Sequence, residues 1–415
     1  MKIERYTRNK EAAEKYHLVQ FGIALFLPAK AEENDLSNVE NFIVYTFNFY
    51  VFPNSKNPLN NNAKQDVVLD PFCINFLAEN NMDFNKWLKE GVPYQNKNVV
   101  DQLRARFNVK WGDGHDPPRP KTLHGPIFKV NLVRPEDKIF VKSVMDTVDT
   151  WFNANEADEV KDLPSCNSFL RRALYELLEE KYGNDLIIEK CPNTQQIRIM
   201  KWNKSLRLKS LSNLENNEIG LFRIVEALSN ECTSRHLPIV VHNGMIDLLY
   251  LLSHFFVKPL PEYFDEFRSL FSELFPFIFD TKLIAEELFK DIEGEQIRPI
   301  NTTLEVLAEF FREKGNCKDI PEITFPNSED ASQDQAHSAG YDAFLTGTIF
   351  LHLSRRIKGL NDMKNKINLW RGNQYKSSIR CFYDLNVRYA KNVLKRKLSG
   401  DNGSPDIIPT EGVIT

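Results

Sequence analysis

Cysteine is scarce and scattered: six residues in 415, at positions 73, 166, 191, 232, 317 and 381, with no CxxC pair and no zinc-ligand spacing. This excludes a disulfide-stapled secreted scaffold and a zinc-ribbon module, and it implies reduced thiols in the cytoplasm and/or nucleus. No apolar run reaches the ~18 residues of a membrane span, and the charged start MKIERYTRNKEAAEKY has no apolar signal core. Positive charge is not in excess either. The formal net charge is -4, so any surface for nucleic acid has to be local. Internal repeats are missing too. What is there, 42% hydrophobic residues, 27% charged and 30 Phe, describes a globular protein with ample core material, and the length fits two or three domains.

The pattern along the chain is mixed. Residues 2–17 read as a short charged helix. VQFGIALF (19–26) and FIVYTFNFYVF (42–52) are β-branched and aromatic runs that predict neighbouring antiparallel strands. Apolar residues at helical spacing follow at 73–77 and 84–88, with Asp83 as N-cap, and an amphipathic helix with proline at its start spans 135–152. A compact unit over 163–204 combines a helix, 168–182, with strands at 186–190 and 196–202. Residues 168–209 carry nine Lys/Arg against five Asp/Glu, which suits either a solvated surface or contact with RNA. Alternating strands and helices then resume from 214 to 353. Residues 354–398 hold thirteen Lys/Arg against two Asp/Glu, and the remainder has the composition of a disordered tail.

Two stretches carry chemistry. In LPIVVHNGMIDLLYLLSHFF (237–256) a buried strand ends at His242-Asn243-Gly244 and a helix starts near Met245. Asp247 therefore sits in a first helical turn just past a strand end, where α/β folds hold polar residues over a ligand crevice. A carboxylate there also serves simply to stabilise the helix N-terminus. In QAHSAGYDAFLTGTIFLHL (335–353) Asp342 and His337 lie at the start of a second helix. Two carboxylates on separate helices with a nearby histidine suit a hydrolase using hard divalent cations, the histidine accepting a proton from water. The His-x4-Asp spacing alone is equally that of a capping histidine and a surface aspartate.

Order and context add specificity. VQFGIALF, FNFYVFP, CINFLAENNMDFNKWLKEGVPY, VVHNGMIDLLYL, FDTK and HSAGYDAFLTG, in that order, make the chain similar to the poly(A)-specific ribonuclease family. These are 3′-exonucleases of the DEDD type, in the subclass with histidine. The resemblance covers 5–353 and implies an RNase H-like α/β nuclease fold with a mixed sheet. It divides the chain into a first nuclease part (1–155), a small inserted α+β nucleic-acid-binding-type domain (160–205), a second nuclease part (210–353) and a basic tail (354–415). It implies Mg²⁺ as cofactor, Asp247 and Asp342 as metal ligands, and His337 as general base. Asp280 and Lys282 of FDTK, with Ile74 and Phe76, become substrate contacts, although an exposed charge accounts equally for Lys282 and core packing accounts better for Ile74 and Phe76. RNA is the implied partner, at 3′ poly(A) or small-RNA 3′ ends, with a possible homodimer and no membrane.

Two departures qualify this. The insert type is named for Arg-x-x-x-His, but Arg171 is followed at that spacing by Tyr175, which puts RNA binding by the insert in question. The family's first motif, a strand carrying Asp-x-Glu, has no counterpart before Val19. The one Asp-x-Glu is Asp291-Ile292-Glu293, in a polar stretch after a helix. Two of four metal ligands are thus missing, and the expectation is a chain inactive as written. An upstream segment absent from this sequence accounts for the gap. The alternative is a non-catalytic RNA-binding or partner-binding relative. A DNA-proofreading exonuclease would share the site geometry without explaining the basic insert.

Overall fold

The protein is described by a computed structural model covering residues 2–29, 41–53, 66–112, 130–154, 160–191, 194–290, 298–313, 322–326, 338–368 and 382–384. It is a mixed α/β fold. Helix α1 (Lys2–Lys15) leads into strands β1 (Gln20–Pro28) and β2 (Phe42–Tyr50), followed by α2 (Pro71–Glu79), α3 (Phe84–Glu90), α4 (Lys97–Trp111) and α5 (Pro135–Asn153). Next come β3 (Val160–Asp162), α6 (Ser168–Tyr182), β4 (Leu186–Lys190), β5 (Ile197–Lys201), α7 (Lys204–Asn213) and α8 (Phe222–Arg235). The remainder is β6 (Ile239–Val241), α9 (Met245–Leu251), α10 (Phe264–Leu274), β7 (Ile278–Asp280), α11 (Thr281–Phe289), α12 (Leu304–Arg312), β8 (Ile323–Thr324), α13 (Ala339–Ser354), β9 (Lys366–Asn368) and β10 (Phe382–Asp384).

The expected β1–β2 pairing is antiparallel and runs in register from Gln20 opposite Tyr50 to Pro28 opposite Phe42. β8 adds in parallel on the far side of β2, so this sheet is mixed. β6 and β7 form a separate parallel pair. Among the described residues, β1 pairs only with β2 and β6 only with β7. α13 packs against β1, β2 and β6 and so spans both pieces. Small residues allow its close approach. A methyl group on Gly22 would overlap the Ala339 carbonyl, and one on Gly347 would overlap the Phe26 ring.

Three hydrophobic clusters hold the fold. The main one joins α1, α4, α8, α9 and α10 through Tyr6, Val100, Phe107, Phe222, Leu249, Phe255, Phe267 and Phe271. Burying large side chains of this kind contributes about 1.5–3 kcal/mol each. A second unites α5, α6, β4 and β5 (Val141, Val144, Val148, Leu170, Leu174, Leu178, Leu186, Ile197, Ile199). The third joins α11, α12 and α13 (Ile284, Phe289, Leu307, Phe311, Ile349, Leu353).

Some contacts cross the divisions read from the sequence. α5, assigned to the first nuclease part, gives its buried face to the second cluster, because periodicity reveals an apolar face but not what covers it. The hairpin β4–β5 also turns Ile187 and Met200 toward the main cluster, since successive strand residues face opposite sides. Residues past 353 are not all tail: Ile367 and Asn368 are buried, and Asn365 binds β7 through Asn365 N–H to the Ile278 carbonyl at 2.8 Å.

Candidate functional site

The turn after β6 shapes the first half of the site. Asn243 has a positive φ of 54°, a conformation that asparagine tolerates better than most residues. Gly244 then leads into α9, whose first turn carries Asp247, exposed to solvent. The helix continues as a π-helical turn, Leu252–Phe256, with every residue buried. In this register the Tyr250 and His254 rings stack 5.3 Å apart. His254 Nε2 donates to the Tyr16 carbonyl at 3.1 Å, which leaves Nδ1 to accept from the Tyr94 hydroxyl at 2.9 Å. α1 is thereby fastened to the helix that bears Asp247.

Tyr250 shows what surrounds that helix face. Its phenol is pushed up to about 12, first by burial and then by Cys73, Tyr16, Asp70 and Asp247. The start of α2 therefore lies electrostatically close to α9. Asp70 caps α2, accepting from Phe72 N–H at 2.8 Å and Cys73 N–H at 3.3 Å. α2 buries none of its residues despite its apolar sequence PFCINFLAE. Ile74 is half-buried and Phe76 is 43% exposed, with Phe72 at 81%. Both are therefore surface residues rather than core. A solvent-facing apolar helix in this position suits a ligand or a partner.

α13 holds the other half. Its first N–H groups are taken by three side chains: Ala339 donates to Gln20 Oε1 at 3.2 Å, Gly340 to Asn48 Oδ1 at 3.3 Å and Tyr341 to Ser338 Oγ at 3.4 Å. β1 and β2 thus fix the helix start that presents Asp342, which is half-buried. His337 lies outside the described residues.

Asp280 and Lys282, expected as substrate contacts, are inside the protein. Asp280 is wholly buried and Lys282 is 7% exposed. The Asp280 carboxylate accepts five main-chain N–H groups. Lys282 acts on two neighbours. His242 is pushed down to about 3, first by burial and then by Lys282. Burial raises the Glu286 carboxyl, while Asn368 and Lys282 pull it down. Sequence reasoning missed this group, Asp280 with His242, Glu286, Thr302 and Asn368. A polar residue after a strand gives the same signal whether it faces a crevice or a ring of backbone donors.

The basic charge of the 168–209 stretch is largely engaged. Arg198 pairs with Asp162 at 2.6 Å, Arg172 with Glu176 at 3.2 Å, and Arg207 donates to the Gly112 carbonyl at 3.1 Å. Among the described residues, no three His, Cys, Asp or Glu side chains gather closely enough to hold a metal ion. Two carboxylates on separate helices would leave most of an octahedral Mg²⁺ shell to water and substrate phosphate oxygens. No helix of the described residues is long and apolar enough to cross a membrane.

Comparison with known proteins converges on one family. Residues 2–350 match CAF1 family ribonuclease. The chain is 30% identical over 398 residues to the poly(A)-specific ribonuclease PARN of Danio rerio, covering 89% of this chain and 56% of that protein. Human PARN is 28% identical over 396 residues, covering 89% of this chain and 59% of the relative. Human poly(A)-specific ribonuclease PNLDC1 is 25% identical over 361 residues, covering 85% and 63%. The chain therefore spans somewhat over half the length of these relatives. With a match that runs from α1 through α9, which bears Asp247, into α13, which bears Asp342, this chain belongs to the CAF1 ribonuclease family.

Proposed function

We propose that the chain carries the fold of a 3′-to-5′ exoribonuclease, of the deadenylase or small-RNA 3′-trimming type, that releases 5′-nucleoside monophosphates. The observation that carries this is the family match over residues 2–350, which includes the turn bearing Asp247 and the helix start bearing Asp342. In this reading the nuclease is RNase H-like, with residues around 160–205 as an insert. Asp247 and Asp342 are two of the metal-binding carboxylates, and His337 is the proton acceptor. Bound Mg²⁺ would polarise the phosphodiester and lower the pKa of the attacking water.

The chain's own residues have more limited tasks. α2 offers Phe72 and Phe76 as stacking surfaces for unpaired bases, which need no sequence readout. His337 contributes proton transfer, about 10²–10⁴-fold. Phosphodiester cleavage calls for an acceleration on the order of 10¹⁰ or more, so these residues alone cut RNA negligibly. A second reading is a relative that binds RNA or a protein partner without cleaving.

A 5′-labelled oligo(A) separates the two. The chain as given binds it and leaves it intact in Mg²⁺. Extending the chain ahead of Met1 with a strand bearing Asp-x-Glu produces Mg²⁺-dependent laddering from the 3′ end, and Asp247→Asn or Asp342→Asn abolishes it. Binding without laddering in the extended protein assigns the non-catalytic role. Robust laddering by the unextended chain would show that other residues complete the site.

A further inference from the structure

Asp280 needs a larger role than capping a helix. As the N-cap of α11 it accepts from Lys282 N–H at 3.0 Å and Leu283 N–H at 3.4 Å. Those two bonds alone would satisfy the helix end. Three more donors arrive from elsewhere in the chain. Asn243 N–H reaches Oδ1 at 2.9 Å and Gly244 N–H reaches Oδ2 at 3.3 Å, both from the turn before α9. Asn368 N–H reaches Oδ2 at 3.0 Å from β9.

A carboxylate is one of the few groups that can accept so many N–H bonds, and inside a protein such charge-assisted bonds are roughly twice as strong as neutral ones. The positive φ of Asn243 shows that the turn adopts an uncommon backbone conformation to present its donors. β9 is seated on the same edge of β7 by a second polar residue. Asn365 Oδ1 accepts from Ile278 N–H at 2.9 Å, and Asn365 Nδ2 donates to the Pro276 carbonyl at 3.0 Å. One buried carboxylate therefore ties together three segments: the turn that launches α9, the start of α11, and a strand lying 88 residues beyond Asp280.

We infer that Asp280 is a positioning residue for the candidate site. It fixes the Asn243–Gly244 turn from which α9 and Asp247 project, and it makes that turn depend on the docking of β9. The functional consequence rests on reading Asp247 as a site residue; the coupling itself does not.

The test follows backbone amide resonances of the full-length chain, with neither RNA nor metal present. Asp280→Asn keeps the size of the side chain but turns an NH₂ toward N–H donors. The amide resonances of Asn243, Gly244 and Asn368 shift upfield together, and their hydrogen exchange quickens about 10- to 100-fold. Amides of α6 and of the β4–β5 hairpin stay where they were. Asn368→Pro removes the β9 donor and leaves Asp280 in place, and it moves Asn243 and Gly244 as well. Two results overturn the inference: Asp280→Asn disturbing only Lys282 and Leu283, as a plain helix cap would, or Asn368→Pro disturbing only β9, β10 and their neighbours. A finding that Asp247→Asn leaves RNA processing by the extended protein unchanged would sink the reading of the site and leave the coupling standing.

Discussion

Gly22 of β1 and Ala339 of α13 approach so closely that the strand residue has no room for a side chain. The obstacle is main chain, which cannot swing aside as a flexible side chain would. Ala339 N–H is also held by Gln20 Oε1, so the start of α13 has little freedom to retreat. Gly22→Ala is therefore expected to cost about 1–3 kcal/mol, in the range of overpacked cores. Chemical denaturation measures it, and Ala24→Gly on the same strand face serves as comparison. Because Asp342 lies three residues beyond Ala339, the extended protein should also lose trimming activity beyond what its lower stability explains.

Acid should weaken the protein through its buried histidines. His254 is pushed down to about 4 from the ordinary 6.5, first by burial and then by His17 and Lys258, while its bond to the Tyr16 carbonyl opposes the shift. His352 is likewise pushed down to about 4, by burial and then by Arg356 and Arg355. The unfolded chain takes up these protons near pH 6.5, whereas the folded chain refuses them until near pH 4. Their contribution is thus fully present above 6.5 and is lost as pH falls toward 4, by about 1.4 kcal/mol per pH unit for each group. Unfolding free energies measured from pH 7.5 to 5 should show this slope. His254→Asn, though less stable at pH 7.5, should show about one proton less in that dependence.

Local punctuation was legible in the sequence; the destination of each face was not. Helix α6 spans 168–182 as read, because Asn167 caps one end and Gly183 takes a positive φ of 54° at the other. Asp83 caps α3 as expected, accepting from Lys86 N–H at 2.9 Å. α4 and α7 went unread; α7 sets only Leu206 and Leu211, half-buried, against the main cluster, a weak signal over so short a helix. Environment was harder to read. Ile74 and Phe76 have the spacing of core residues yet are half-buried and 43% exposed, and Asp280 has the look of a cleft residue yet is enclosed. For Asp280 the enclosing segment, β9, lies 88 residues further along the chain. Pairings over such separations leave no mark in local periodicity.

Arg104 joins α4 to Glu215, in the turn before α8, and to Glu226 on α8. Its Nε meets Glu215 at 3.2 Å and its Nη1 meets Glu226 at 2.9 Å, all three being partly exposed. Arg104→Met removes the shared counter-charge and leaves the two carboxylates facing each other. Solvent screening moderates the loss to about 1–2 kcal/mol. Converting both glutamates to glutamine in the Arg104→Met background should recover part of it. No recovery in that triple variant would mean that the arginine stem's packing, rather than its charge, holds α4.

The surface of α2 makes a prediction about RNA. Phe72 is 81% exposed and Phe76 43% exposed on a helix whose start lies electrostatically close to Asp247 through Tyr250. Exposed aromatic rings near the candidate site are well suited to stack unpaired bases, and each stacked base contributes about 1–3 kcal/mol. Phe72→Ser and Phe76→Ser are thus expected to weaken oligo(A) binding about 5- to 100-fold apiece. Stability should hardly change, because α2 buries none of its residues. Leu88→Ser, on the neighbouring helix and 46% exposed, is the control for loss of apolar surface without loss of a ring. Anisotropy of a labelled oligo(A) without metal gives the affinities, and sedimentation of the same samples reports association of the chain. Unchanged affinity with a shift toward smaller species would reassign this face to contact between copies of the chain. Weaker binding with unchanged sedimentation would place RNA on α2.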